Sequence, residues 1–566
     1  MSAVAIKRIP QIHPAPALFD TRFGSHHVNS GINSSITTFP AKSETSVTDK
    51  WDAEHVRLPC SESSLYPIKK EKGKITGLRK RWKLIEDAIF DPEKPRISSG
   101  QMLYNAVLIY NSRFKAAKNW SFASLISYLD DELADNDRRY FFDTTLPCIL
   151  SLVQNTRYFL NKPIPLFRRQ SNKTITLNQL QCACILANSF LCTWSRRNSY
   201  KADSEYANFP MINFNAIFSG RDQTCKEKIK CLIQYFDTIC LRLEDNHKFG
   251  NITFERRSVF SAADNDENSR DQVLNDYEVP EDSNIIPIWK NSKKKVNSIS
   301  INIHKKISIH SFQDSLQADF ANKFLGGGVI GSGCVQEEIM FTVMPELMVG
   351  MLFNEVMADN EAIVITGVEQ YSKYTGYGHT FRYDGPNRVD ILNRDAAGRN
   401  QVQICALDAL NMYEIAEDKK NSEEVYTSQF TEVSLERELN KCYAAIHVVK
   451  DLAEPYANLP PFATGKWGCG AFGGDTYAKF LIQVCACIEA NRDMNFCCFD
   501  EDVEELKANL SRTVKVLQKS KKTVSDIFKL ITNYGLDLKE GRVKLDYCEF
   551  WDYLDNAIAS EEDRIL

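Results

Sequence analysis

The chain has 566 residues, 43% of them hydrophobic and 25% charged, and at roughly 150 residues per domain this length allows two or three domains with real cores. The 69 basic and 74 acidic residues give a formal net charge of -5, which excludes the overall positive field that sequence-independent nucleic-acid binding requires. No stretch has the apolar run of a signal peptide or a membrane span, so we expect a soluble, intracellular protein.

The 17 cysteines are spread over the chain, and many lie inside apolar runs such as QCACILANSFLC and LIQVCACIEA. Reduced, buried thiols are therefore expected rather than a disulfide scaffold. The closely spaced cysteines form no CxxC motif and have no histidines at zinc spacing. The sequence accordingly predicts no structural zinc.

Residues 1–75 are rich in Ser, Thr, Pro, Asn and His, with scattered hydrophobic residues. This composition cannot bury enough apolar area to offset the entropy of ordering, so we predict a disordered N-terminal tail. A basic run from Lys69 to Lys83 lies at its end. That run fits a nuclear-import signal or a polyanion contact, and it equally fits the solvated start of a helix.

Residues 76–285 begin with apolar residues at helical spacing, in segments such as LRKRWKLIEDAIF, SGQMLYNAVLIYNS and LPCILSLVQNTRYFL. Amphipathic helices joined by short polar connectors predict an all-helical accessory domain. Its last part, residues 262–283, is polar and acidic and is predicted to be a loop.

Residues 286–566 alternate between short apolar strands and helices. NSISINIHKKISIH has a period of two, and EAIVITGVEQY, RNQVQICALDAL and NFCCF are typical of strands. MPELMVGMLFNEVM, LERELNKCYAAIHVV and TYAKFLIQVCACIEANR lie between them at helical spacing. This alternation predicts an α/β domain with a central sheet, followed by C-terminal helices.

A glycine-rich segment, residues 326–333, has five glycines in eight positions, so its backbone amides could wrap a phosphate or diphosphate. It matches neither the Walker A motif nor the GxGxxG fingerprint, and a plain flexible loop is the alternative. Glu337 and Glu338 follow it among apolar residues, where burial raises the pKa of a carboxyl group and supplies a proton donor near neutral pH. Because adjacent side chains point in different directions, one could act as an acid while the other orients a substrate. Simple helix N-terminal charges would give the same pattern.

A second glycine cluster, residues 465–474, precedes a helix that begins near Tyr477, and amides at such a helix start can bind an anion. Between the two clusters, QYSKYTGYGHT carries Tyr374 and Tyr377, which could stack on a base or a ribose but are also typical packing residues. His379 in the same segment is assigned a packing or surface role.

The string GGGVIGSGCVQEE resembles the signature of the poly(ADP-ribose) glycohydrolase family. QADFANKFLGGG, ITGVEQYSKYTGY, ALDAL, RELNKCY and GKWGCGAFGGD are similar to neighbouring blocks of that family, and ITLNQLQCACILANSFLCTWSRRN resembles its helical domain. The resemblance covers most of residues 76–535. It implies an α/β fold with a macrodomain-like mixed central sheet flanked by helices, after a helical accessory domain. It also implies hydrolysis of the ribose-ribose O-glycosidic bonds of poly(ADP-ribose), with no cofactor and no metal.

The resemblance also implies roles for individual residues. Glu338 would protonate the departing ribose oxygen as an oxocarbenium-like centre forms, and would then activate water. Glu337 would hold ribose hydroxyls, with Asn322 beside it and Asp319 supporting the site. Phe499 would stack on the adenine. The remaining implied substrate contacts are Ile309, Gly327, Gly328, Gln336, Tyr374, Tyr377, Lys466, Trp467, Gly468, Cys469, Gly470, Ala471 and Phe472.

Two positions depart from the family pattern. Lys466 stands where the family usually has Asn, and His310 stands where an acidic residue commonly helps to read the adenine. These departures bear on substrate affinity rather than on the chemistry.

Two other functions compete with the glycohydrolase. A non-catalytic reader of ADP-ribose chains is one, although binding alone does not need the protonatable carboxyl groups that follow Gln336. A hydrolase of another nucleotide-linked substrate, such as ADP-ribosyl-protein bonds, is the other. By resemblance, we expect a monomer that acts on poly(ADP-ribose) chains and poly(ADP-ribosyl)ated proteins. We expect it to do so in the nucleus and cytoplasm, during the DNA damage response. We expect no membrane binding and no sequence-specific nucleic-acid binding.

Overall fold

A computed structural model describes most of the chain beyond residue 48. The described residues are 49–69, 75–112, 117, 119–195, 197, 204–260, 286–387, 394–416, 418–448, 459–499, 503–547 and 549–565. Most of the predicted tail, the middle of the basic run at 70–74 and the predicted acidic loop at 262–283 lie outside these residues.

The predicted tail extends too far along the chain, because residues 49–69 are folded onto the helical region. Val56 and Leu58 are buried in its core, and the Val56 N–H donates to the Ile164 carbonyl over 2.9 Å. The few apolar residues of this segment are enough to anchor it, although its average composition is polar. The prediction of disorder is therefore wrong for residues 49–69.

The strands form one large sheet and two hairpins. Their bounds are β1 Leu65–Lys69, β2 Ile75–Lys80, β3 Lys173–Asn178, β4 Asn251–Ser258, β5 Ile301–Lys305, β6 Leu316–Asp319, β7 Glu361–Thr366, β8 Ser372–Thr375, β9 Arg382–Pro386, β10 Gln403–Ala406, β11 Phe462–Thr464 and β12 Met494–Cys498. The eight-stranded sheet has the order β3-β4-β7-β10-β6-β11-β12-β5. Strands β10, β6, β11, β12 and β5 are parallel, and the β3-β4, β4-β7 and β7-β10 pairs are antiparallel. The central sheet is mixed, as predicted.

The helices lie before, between and after these strands. Their bounds are α1 Arg81–Ile89, α2 Gly100–Asn111, α3 Ala123–Ile126, α4 Asp135–Tyr140, α5 Leu146–Gln154, α6 Thr156–Phe159, α7 Gln179–Phe190, α8 Asn215–Ser219, α9 Gln223–Glu244, α10 Gln336–Val343, α11 Met412–Ile415, α12 Ser422–Thr427, α13 Glu432–Ile446, α14 Thr476–Glu489, α15 Val503–Lys519, α16 Val524–Lys539 and α17 Phe550–Ile565. None of the described helices is both long and apolar enough to cross a membrane.

Strand β7 shows how the sheet separates two cores. Ile363 and Ile365 pack with the helical region and α10, whereas Ala362 and Val364 pack with α13, α14 and the C-terminal helices. A strand buried on both faces reads as a continuous apolar run, which explains the sequence EAIVIT. The sheet is therefore the middle of three layers.

The accessory region is mainly helical, but the structure corrects the all-helical prediction. Its strands β3 and β4 join the central sheet through the β4-β7 pair. KTITLN and NITFERRS contain the β-branched and alternating residues that favour strands. As a consequence, both regions share one continuous sheet, and the core on one of its two faces contains residues of both regions. The described cysteines are not in disulfides and, apart from the half-buried Cys469, they are buried, as predicted.

Candidate active site

The candidate site residues gather at one edge of the sheet. Asp319 ends β6, the second glycine cluster follows Thr464 at the end of β11, and Phe499 follows Cys498 at the end of β12. Since these strands are parallel, their carboxyl ends meet at the same edge, the usual position for ligands in α/β sheets. The fold thus unites motifs that are 180 residues apart in the chain.

The first glycine segment is a run of tight turns between β6 and α10. Gly327 has φ +48°, and a Cβ atom placed on it would lie 2.6 Å from Glu337 Oε2 and 2.7 Å from Glu338 Oε1. No side chain fits there without displacing a carboxyl group. The two glutamates therefore lie against the same glycine, in the first turn of α10.

Main-chain amides fix both glutamates. Glu337 Oε1 accepts from the Gly326 N–H over 2.6 Å, and its Oε2 accepts from the Asn322 N–H over 2.8 Å. Glu338 Oε1 accepts from the Gly328 N–H and its Oε2 from the Val335 N–H, both over 2.9 Å. The Glu338 carboxyl group consequently caps α10 through the Val335 N–H, and both carboxyl groups hold the glycine segment.

Asp319 lies fully buried near these glutamates, and within the described residues neither of its carboxyl oxygens has a hydrogen-bond partner. Burial, and then the charge of Glu338, raise the pKa of Asp319 well above its ordinary value. Burial, and then the charge of Asp319, likewise raise the pKa of Glu337 well above its ordinary value. Burial and mutual repulsion thus favour the protonated forms of Asp319 and Glu337 beside the Glu338 carboxyl group.

The raised pKa of Asp319 makes the stability of the protein depend on pH. A carboxyl whose pKa is higher in the folded state stabilises the fold fully below its unfolded pKa, and this contribution is lost as the pH rises through the folded pKa. In Asp319→Asn that loss is absent. We expect the urea-unfolding free energy of the variant to fall less than that of the wild type from pH 5 to pH 8, by up to about 1.4 kcal/mol per pH unit. The exposed Asp314, substituted in the same way, serves as the control, and identical pH profiles for wild type and Asp319→Asn would contradict the expectation.

Gln336 supports the site from the start of α10. Its side-chain oxygen accepts from the Phe320 N–H over 2.8 Å, and its amide nitrogen donates to the Ala318 carbonyl over 2.9 Å. Its own backbone N–H donates to the Tyr377 hydroxyl over 3.2 Å. Gln336 thus links the end of β6 to the hairpin formed by β8 and β9.

Aromatic rings form the rim of the site. Tyr377 and Phe499 are 56% and 58% exposed, which leaves both rings available for stacking on a base or ribose. Tyr374 is half-buried and packs against Phe381 at 5.8 Å between ring centroids. His379 is exposed, in agreement with a surface role.

Ile309 is buried and His310 is half-buried, unlike the exposed aromatic residues at the rim of the site. The Ile309 side chain is buried against Ala463 and Cys497. His310 Nδ1 lies 3.4 Å from Gln317 Oε1, and burial lowers the pKa of this histidine. A neutral imidazole at this position differs in charge from the acidic residue of the family pattern, while the substrate contact at Ile309 stays a prediction.

Trp467 anchors the second glycine cluster rather than presenting its ring to a ligand. Its side chain is buried, its indole N–H donates to the Leu407 carbonyl over 3.0 Å, and Lys479 Nζ lies 4.6 Å from the ring centroid. A ligand could therefore contact only the main chain of Trp467. Gly468 has φ +75°, and a Cβ atom there would lie 2.5 Å from the Ala409 Cβ.

The rest of the second cluster is closed by main-chain bonds. The Gly474 N–H donates to the Gly468 carbonyl over 2.9 Å, and the Gly473 N–H donates to the Gly470 carbonyl over 3.1 Å. Apart from the buried Gly465 and Trp467, the members of the cluster, Lys466 and residues 468–474, are exposed or half-buried. Substrate contacts at these residues stay predictions.

Helix α9 of the accessory region carries two site-supporting residues that the sequence analysis missed. Lys228 Nζ donates to carbonyls of the first glycine segment, and Glu227 Oε2 accepts from the Tyr383 N–H of the β8-β9 hairpin over 2.9 Å. Lys228 lies on the same helix face as Leu232 and Phe236, at spacings of four residues. The sequence feature that could have identified Lys228 is a lysine on an otherwise apolar helix face.

A mixed sheet with two glycine segments and a buried carboxyl cluster at its carboxyl edge defines a macrodomain-type protein with a helical accessory region. The model of the family described as "Poly (ADP-ribose) glycohydrolase (PARG), Macro domain fold" matches residues 286–505, and the one described as "Poly (ADP-ribose) glycohydrolase (PARG), helical domain" matches residues 133–256. The chain belongs to the poly(ADP-ribose) glycohydrolase family, a family of glycosidases.

Proteins of this family from an animal and a plant are similar to the chain. Poly(ADP-ribose) glycohydrolase 1 of Caenorhabditis elegans is 32% identical over 399 residues, which are 69% of this chain and 43% of that protein. Poly(ADP-ribose) glycohydrolase 1 of Arabidopsis thaliana is 28% identical over 522 residues, which are 78% of this chain and 87% of that protein. The match thus spans less than half of the nematode protein and most of the plant protein.

Proposed function

We propose that this chain hydrolyses the ribose-ribose O-glycosidic bonds of poly(ADP-ribose) and releases ADP-ribose. The observation that carries the proposal is the pair Glu337 and Glu338, held by four main-chain amides against Gly327 of a glycine-rich segment. Carboxyl groups beside an anion-binding loop are the arrangement that a glycosidase acting on a diphosphate-linked sugar requires.

In the proposed reaction, Glu338 donates its proton to the departing ribose oxygen while the bond between that oxygen and the anomeric carbon breaks. The sugar passes through an oxocarbenium-like state. A water molecule then attacks the anomeric carbon and gives a proton to the Glu338 carboxylate, which restores the acid. Glu337 accepts hydrogen bonds from ribose hydroxyls, and the negative substrate favours a bound proton within the cluster that Asp319 completes.

The proposed substrate binding uses neutral groups. Gly327 and Gly328 let the first glycine segment approach the diphosphate closely, and main-chain N–H groups of that segment and of the second cluster around Gly470 surround it. Phe499 and Tyr377 stack on the adenosine. The acidic net charge of the chain is therefore compatible with an anionic polymer.

The wider setting is part of the same proposal. We infer that the chain acts as a monomer on poly(ADP-ribose) and poly(ADP-ribosyl)ated proteins, in the nucleus and the cytoplasm, within the DNA damage response. The support for this setting is family membership alone.

The proposal is tested by incubating purified protein with labelled poly(ADP-ribose) and resolving the products by size. We expect release of monomeric ADP-ribose, at the same rate with and without EDTA, because protein carboxyl groups supply the proton. Poly(A) of equal length is the control, and it should stay intact because it has no ribose-ribose bond. Chains that are bound but not shortened would favour the reader function instead.

A further inference from the structure

Lys228 of α9 reaches from the accessory region into the first glycine segment. Its side chain is buried, with the residue 1% exposed. Lys228 Nζ donates to the carbonyls of Val329 and Gly331, each over 2.8 Å, and also to the carbonyl of Gly333. All three of its protons are thereby directed to residues 329–333 of that segment.

Lys228 differs from the lysines beside it on the helix. Lys226 pairs with Glu132, and Lys230 pairs with Glu227 at 2.8 Å, whereas within the described residues Lys228 forms no ion pair with a carboxylate. A buried ammonium without a carboxylate is costly unless dipoles compensate it. Here the compensation comes from three alternate carbonyl groups of the glycine segment.

This contact determines which way the peptide groups of the segment face. In a trans peptide the C=O and the following N–H point in opposite directions. Carbonyls 329, 331 and 333 face the ammonium, so the N–H groups of Ile330, Ser332 and Cys334 face away from it. Within the described part of the chain, none of these three N–H groups has an acceptor. A row of unpaired amides with a cation behind it is an anion-binding arrangement.

We propose that Lys228 is a positioning residue that orients the glycine segment for the diphosphate of the substrate, so that the accessory region forms part of the binding site. The inference rests on the proposed function, since it takes an ADP-ribose unit as the ligand. It explains why a residue about 100 positions upstream of the glycine segment is buried beneath it.

The test compares Lys228→Met with Lys226→Met in the full chain. Both variants remove one positive charge from the same helix, but only the first touches the glycine segment. Calorimetry measures the affinity of each variant for ADP-ribose and for adenosine, which lacks the diphosphate. For Lys228→Met we expect the dissociation constant of ADP-ribose to rise by about tenfold to hundredfold, while that of adenosine changes less than about twofold. For Lys226→Met we expect changes below about twofold with both ligands.

The selective loss of ADP-ribose affinity is what a merely structural role would not produce. Equal loss of both ligands, or unchanged ADP-ribose affinity in a variant that melts like the wild type, overturns the inference. If Lys228→Met does not fold, Lys228→Gln, which keeps donors without the charge, is judged by the same two affinities. Failure of the wild type to bind ADP-ribose would overturn the proposed function together with this inference, whereas wild-type binding that Lys228→Met retains overturns the inference alone.

Discussion

Glu338→Gln is expected to slow the release of ADP-ribose from poly(ADP-ribose) by about 10²- to 10⁴-fold, the usual contribution of a general acid and base. The amide keeps the size of the side chain and can still accept from the Gly328 N–H, although it gives up the bond from the Val335 N–H, and it cannot donate and recover a proton. The affinity for ADP-ribose should stay within about threefold of the wild type, because binding does not use that proton. Initial rates and calorimetric affinities, measured on the same preparations, check both parts.

A matched control separates this effect from a general loss of glutamate charge. Glu423 is exposed in the first turn of α12, so Glu423→Gln makes the same chemical change away from the site, and it should cleave at the wild-type rate. Wild-type cleavage by Glu338→Gln would refute the assignment of the acid. Loss of both cleavage and ADP-ribose binding would instead indicate that the carboxyl is needed to hold the glycine segment through the Gly328 and Val335 amides.

The core of the candidate site could be predicted because it is local in the sequence. Glu337 and Glu338 begin a helix directly after the glycine segment, and a few residues of chain bring their oxygens to the amides of Gly326 and Gly328. The apolar neighbours also indicated burial correctly. The meeting of this segment with the second glycine cluster was implied only by the family resemblance, and the structure explains it by the parallel pairing of β6 and β11, whose carboxyl ends share an edge.

The remaining parts depend on contacts between remote segments. Lys228 stands out as a lysine within an apolar face of α9, but nothing local identifies the carbonyls of residues 329–333 as its partners. From the sequence, the Trp467 side chain could face either a ligand or the core. In the structure it faces the core, where its indole N–H donates to the Leu407 carbonyl. The folded segment 49–69 was missed because a few anchoring apolar residues do not change the average composition of a polar stretch.

The two regions of the chain are also joined by a buried ion pair. Arg256 of β4 donates through Nε to Glu361 Oε1 over 2.9 Å and through Nη2 to Glu361 Oε2 over 2.5 Å, and both side chains are fully buried. Glu361 further accepts from the N–H groups of Gln170 and Ala358, over 2.6 and 2.7 Å. Burial acts to raise the pKa of Glu361, but the hydrogen bonds and charge of Arg256 outweigh it, so the pKa is lowered.

Glu361→Ala is therefore expected to lower the free energy of unfolding by about 3–5 kcal/mol, because it leaves the Arg256 guanidinium buried without its carboxylate. Replacing both partners, as Arg256→Met with Glu361→Met, should cost less than the single change, since no uncompensated charge remains. Urea unfolding at neutral pH measures both. Because the pKa of Glu361 is lowered in the folded state, the pair stabilises the fold at pH values above the unfolded pKa of Glu361. The difference in unfolding free energy between wild type and Glu361→Ala should therefore shrink as the pH falls through the folded-state pKa of Glu361. A single variant as stable as the double one would show that the pair does not join the regions in this way.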